Sequence, residues 1–97
     1  MLNIETDYYK TENRRNHSMK IKVYVTLKDS ISDPQGTAVQ GALTKKGYQG
    51  VQSVRIGKLI ELELTDRPEA EAKKAVEEMC EKLLANTVIE KYSYEIV

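Results

Sequence analysis

A lone cysteine, a lone histidine and two glutamates on one side of a strand are the groups of this chain best able to act as nucleophile, base or acid–base pair. Their settings argue against each role. Cys80 falls on an apolar helical stripe between Val76 and Leu83, and no histidine follows His17 to activate it. A thiol in that setting behaves as a small hydrophobe. His17 stands between Asn16 and Ser18 in a polar tail. Glu61 and Glu63 share a strand face, a spacing that suits paired carboxylates but is more commonly the wet side of a strand. No set of histidine, cysteine and carboxylate residues has metal-ligand spacing, so no cofactor or metal is expected on the chain. Arg55 and Lys58 flank Gly57 and offer charge either to an anion or to a solvated strand end. The run Asp33-Pro34-Gln35-Gly36 opens a helix whose N-terminus suits an anion or is closed by its own Asp33 carboxylate, and the residues alone leave both open.

The elements that hold these residues are legible from periodicity. Ile21, Val23, Val25 and Leu27 alternate with Lys20, Lys22, Tyr24, Thr26 and Lys28, which makes a strand with one apolar face. Asp33 caps a helix with Pro34 in its first turn; Val39, Ala42 and Leu43 follow at helical spacing, and Gly47 suits the left-handed stop. Gly36 and Gly41 inside this helix each cost about 1 kcal/mol relative to alanine, which suggests a close approach to its backbone. Residues 51–64 fit one long bent strand or a hairpin at Gly57. If the chain turns there, a three-residue loop pairing Ile56 with Ile60 keeps the faces unmixed.

A second helix starts near Pro68, with Glu69 and Glu71 at its positive end. Ala72, Ala75, Val76, Met79, Cys80, Leu83 and Leu84 form its apolar stripe, and Asn86 is the expected stop. Tyr92, Tyr94 and Ile96 then alternate along a last strand. The expected fold is α+β, a two-layer sandwich in β-α-β(β)-α-β order, ferredoxin-like, with an antiparallel sheet and both helices on its apolar face. Leu83 is expected in the core, and Arg55 and Lys58 are expected to have no structural duty.

Size and charge bound the function. A chain of 97 residues makes one small domain. We divide it into a polar extension, residues 1–18, and a single domain, residues 19–97. Ile4 and Tyr8 in the extension stand one helical turn apart. Burial at this size is modest, and six tyrosines without Phe or Trp suit a contact surface, so self-association is expected. Lys and Arg total 15 against 15 Asp and Glu, which argues against nucleic acid. No apolar run approaches the ~20 residues of a membrane span, the first residues lack a signal-like apolar segment, and the lone cysteine fits a reducing cytoplasm.

Three runs, Ser32-Asp33-Pro34-Gln35-Gly36, Val54-Arg55-Ile56-Gly57-Lys58 and Met79-Cys80-Glu81-Lys82-Leu83-Leu84-Ala85-Asn86, resemble the PurS family, small subunits of bacterial and archaeal phosphoribosylformylglycinamidine synthase. The resemblance runs from about Met19 to the end. It implies a non-catalytic subunit of an ATP-dependent ligase of purine biosynthesis. That subunit would join a glutaminase subunit to a large synthetase subunit and help keep the ammonia path closed. ATP, Mg and glutamine would be used by those partners. The chain would also pair with itself, as a dimer or tetramer, through sheet edges or polar sheet faces. Asp33, Gln35, Gly36, Arg55, Gly57, Lys58 and Asn86 are the candidate subunit-contact residues. Two other classes fit the element order: a ligand-sensing regulatory module, and an RNA-binding module of RRM type, which needs aromatic residues on its open sheet face.

Overall fold

The computed structural model describes residues 18–97; His17, Ile4, Tyr8 and the rest of the extension lie outside them. The order is β1 (Ser18–Leu27), α1 (Pro34–Lys45), β2 (Gly57–Thr65), α2 (Glu69–Met79) and β3 (Glu90–Ile96), with α2 running on into a π-helical turn at Cys80–Leu84. The strands form one antiparallel sheet in the order β2-β1-β3. The fold class is the expected α+β.

The alternation in β1 sets the core. Ile21, Val23 and Val25 are buried. Across the sheet Ile21 lies opposite Leu62 and Ile96, and Val23 opposite Ile60 and Tyr94. On top of them α2 lays Ala72 and Val76, both buried, followed by buried Cys80. The other sheet face carries Tyr24, Glu61, Glu63 and Glu95 to solvent.

The π turn corrects the helical stripe. Ala85 N donates to Cys80 O at 3.1 Å, five residues back rather than four. The wider turn keeps both Cys80 and Ala85 buried and Leu84 against the core, and it swings Leu83 outward to 82% exposure. Leu83 is therefore not a core residue. Asn86 does follow the helix, but the residue before it, Ala85, is extended at φ −128°.

Residues 51–64 are neither one bent strand nor a hairpin. Residues 51–56 have no regular structure, and β2 starts at Gly57 and pairs only with β1. Ile56 is accordingly not paired with Ile60. Gly57 is needed for close approach, since a Cβ there would meet Thr26 Cγ2 at 2.5 Å and Val25 O at 2.6 Å.

Two phenol–carboxylate bonds tie α2 and the π turn that follows it to β3. Tyr94 Oη donates to Glu77 Oε2 at 2.6 Å, and Tyr92 Oη donates to Glu81 Oε2 at 2.8 Å. One helical turn of α2 and two residues of β3 advance by similar lengths, so the pairs stack. The bond to Glu81 pushes Tyr92 up to about 12, and the bond to Glu77 does the same for Tyr94. A raised folded-state value means stability that is full below the ordinary phenol value of 10 and lost as pH rises toward 12. In urea melts between pH 9 and 12, the double variant Tyr92→Phe with Tyr94→Phe should lose less stability than the parent. Parallel losses would show that these bonds carry no pH-linked stability.

Candidate functional site

The candidate residues gather at one end of the sheet, where β1 ends, β2 and β3 begin and α1 starts. Asp33 organises this end. Asp33 is 6% exposed, and its carboxylate spends one oxygen on each of two segments. Oδ1 accepts from Gly36 N at 2.9 Å and caps α1; Oδ2 accepts from Ile56 N at 2.7 Å and holds the irregular segment that leads into β2. The Ile56 and Gly36 N–H groups, in that order, hold the Asp33 carboxyl below its ordinary range. The charged oxygen at the helix start is thus the protein's own, and local capping accounts for the Asp33-Pro34-Gln35-Gly36 run.

Gly36 is the close approach that its helix implied. It is the buried residue of α1, and a Cβ on it would stand 2.0 Å from Val54 O. Gly41 meets nothing within 4 Å, so that approach is confined to the first turn. Gln40 Nε2 donates to Val51 O at 2.9 Å, adding a second tie between α1 and the segment returning to the sheet. Val39 is exposed and Leu43 half-buried, so α1 is fastened mainly at its start. Gly47, at φ 95°, closes the helix in the left-handed region as expected.

Arg55 is not a free cation. Its guanidinium donates to Lys28 O and to Ile31 O, both at 2.9 Å, and so pins the β1–α1 loop against residues 54–56. The expectation that it lacks a structural duty is corrected: those carbonyls would otherwise go without that partner. Lys58 differs, being 59% exposed and 3.8 Å from Glu90 Oε2. Glu90 Oε1 accepts from Asn86 N at 2.7 Å, and Asn86 Oδ1 accepts from Val88 N at 3.2 Å. Glu90 therefore links Asn86 to Lys58, a connection invisible without the register that sets β3 beside β1. A shallow depression of about 260 Å³ brings Asp33, Gln35, Gly57, Lys58 and Glu90 together around Ile56 and Thr26.

Nothing assembled here resembles a reaction centre. Glu61 and Glu63 stand opposite Lys22 and Lys20 in register, a neutral charge ladder on the wet face. Cys80 is buried, and burial followed by Glu81 and Glu77 pushes its thiol up. Among the described residues no group of three or more His, Cys, Asp and Glu could hold a metal ion. Tyr24, bonded to Glu95, is the aromatic residue that the strands present on the open face, while Tyr92 and Tyr94 lie on the helix side. What the end of the sheet offers is shape: a capped helix start, a pinned loop and an exposed lysine in fixed relation.

Residues 20–97 match the family described as PurS: Phosphoribosylformylglycinamidine (FGAM) synthase. Over 77 residues the chain is 57% identical to the phosphoribosylformylglycinamidine synthase subunit PurS of Bacillus subtilis, covering 79% of this chain and 90% of that one. A Synechocystis subunit of the same name is 55% identical over 80 residues, 82% of this chain and 80% of that one. A crystal structure of B. subtilis PurS superposes with a TM-score of 0.71 at 56% identity, over 81% of this chain and 98% of that one. A chain in the structure of PurLQS from Thermotoga maritima superposes at 0.75 with 30% identity, over 82% of this chain and 98% of that one.

Proposed function

Because the chain belongs to the PurS family of phosphoribosylformylglycinamidine synthase subunits, we propose that it holds the other subunits of that enzyme in register and performs no bond-making step itself. It is a subunit of an ATP-dependent amidotransferase ligase complex of purine biosynthesis. The observation that carries the bridging role is the likeness, at a TM-score of 0.75, to a chain of the T. maritima PurLQS structure. By the same likeness its partners are the glutaminase and large synthetase subunits. Glutamine, ATP and Mg belong to those partners, and the chain works as a pair or higher assembly of copies. Its contribution is positioning and the exclusion of water while ammonia passes between centres. No described helix is long and apolar enough to cross a membrane. A part in purine biosynthesis supports a cytoplasmic location for the chain.

The sheet end built on Asp33 and Arg55 is the proposed contact surface, with Gln35 and Lys58 as its exposed members. Among the described residues, the side chains removed by Lys58→Ala together with Gln35→Ala make no contact with a polar partner beyond the loose pairing of Lys58 with Glu90. In a reconstituted complex with the chain limiting, this variant should lower glutamine-dependent amidine synthesis by about fivefold. Synthesis driven by free ammonia should change less. Unchanged glutamine-dependent synthesis would remove this end of the sheet from the subunit contact.

A further inference from the structure

We propose that Leu83, with Val88 close by in sequence, is the apolar anchor by which this chain seats in a pocket on a different subunit of the synthase. This rests on the subunit role proposed above and gives that role a residue. Two large apolar side chains at the end of α2 and in the turn after it are left in water, Leu83 at 82% and Val88 at 79% exposure. They flank Asn86, three residues before it and two after. The π turn holds one residue more than an α turn between Cys80 and Ala85, both buried, and Leu83 is the side chain that the wider turn sends outward. Such turns recur at functional sites. The frame around the two side chains is tied down. Tyr92 Oη holds Glu81 at 2.8 Å, and Leu84 packs on the core. Asn86 O accepts from Ile89 N at 3.0 Å and Glu90 N at 2.7 Å, while its amide N and Oδ1 bond Glu90 and Val88. An anchor already held in place costs little order to bind.

The receptor is assigned to another chain by what this one lacks and by the charges near the anchor. A leucine standing so far out needs a concave apolar floor. The depressions on this chain are lined by charge: Lys20 and Glu63 in one, Asp33 and Lys58 in the second, Lys91 in the third. A leucine entering any of them would strip water from those charges and return no hydrogen bond. A two-fold contact at the anchor itself would set knob against knob, because the same patch then faces its copy. The charges beside Leu83 and Val88 are engaged within the chain, Lys82 with Glu78 at 3.2 Å and Glu90 with Lys58 and the Asn86 amide. An uncharged centre with paired charge at its rim is the pattern of a subunit contact. Through Asn86 and Glu90 it is also continuous with Lys58, at the sheet end proposed to meet the partners.

The test titrates the full chain into fixed amounts of the glutaminase and large synthetase subunits and follows glutamine-dependent amidine synthesis. Leu83→Asp should raise the chain concentration for half-maximal synthesis about thirtyfold and Leu83→Ala about fivefold, with the full rate recovered at excess chain. Because Leu83 lies in water, Leu83→Asp should keep the parent's urea midpoint, and the free variant should sediment as the parent does. Parent-like half-saturation for Leu83→Asp, where Lys58→Ala with Gln35→Ala raises it, would overturn the anchor and leave the sheet-end contact standing. A free Leu83→Asp chain that sediments differently from the parent would assign the anchor to a second copy and overturn the pocket on another subunit. Synthesis that proceeds equally well without the chain would overturn the anchor and the subunit role together.

Discussion

Ile21→Ala is expected to cost about 2–5 kcal/mol of stability, while Leu83→Ala should cost about 0.5 kcal/mol or less. Ile21 is fully buried on the central strand, opposite Leu62 on one side and Ile96 on the other, in the same core cluster as Val76 and Cys80. Truncating it leaves a cavity between the layers that neither neighbouring strand can close without breaking register. A domain of this size has roughly 5–15 kcal/mol to lose, so the variant should show a clearly lower urea midpoint at an unchanged slope. Leu83 has already given up its burial to the π turn, and its truncation removes little from the folded state. Both melts belong at one protein concentration, because self-association shifts the apparent midpoint. A larger loss at Leu83 than at Ile21 would mean that a regular α-helix runs through Cys80–Leu84.

The contrast between those residues marks where sequence patterning stops. The alternation of Ile21, Val23 and Val25 is a statement about one residue type every second position, and the structure keeps it unaltered. The stripe from Ala72 to Leu84 assumes constant helical pitch, and one five-residue turn at Cys80 rotates everything after it. No local residue announces that turn. Its cause is tertiary, the fit of Cys80, Leu84 and Ala85 over the strands. The Asp33 cap was readable because capping is a three-residue affair. The second oxygen of the same carboxylate was not, since it bonds Ile56 across 23 positions. The duty of Arg55 is hidden from the sequence for the same reason: its partners are backbone carbonyls at Lys28 and Ile31, which look alike in any sequence. The candidate contact residues themselves came from resemblance to a family, and the structure adds that they share one end of the sheet.

Gly36→Ala should destabilise the domain by about 2 kcal/mol, although helix propensity alone predicts a gain near 1 kcal/mol. The new methyl would sit 2.0 Å from Val54 O and 2.9 Å from Val54 C, and neither is the far end of a flexible side chain. Either the first turn of α1 lifts from residues 54–56 or that segment retreats, and each movement pulls on the Asp33 carboxylate that bonds both. Gly41→Ala is the internal control, since a methyl there meets nothing within 4 Å and should realise the helical gain of about 0.5–1 kcal/mol. The same pair separates fold from function. If the pinned sheet end is the subunit contact, Gly36→Ala should depress glutamine-dependent synthesis even below its melting temperature, by shifting Lys58 and Gln35 out of place. Gly41→Ala should leave synthesis intact. Equal stabilisation by the two alanines would mean that α1 does not rest on Val54, and the surface built on that contact would have to be abandoned.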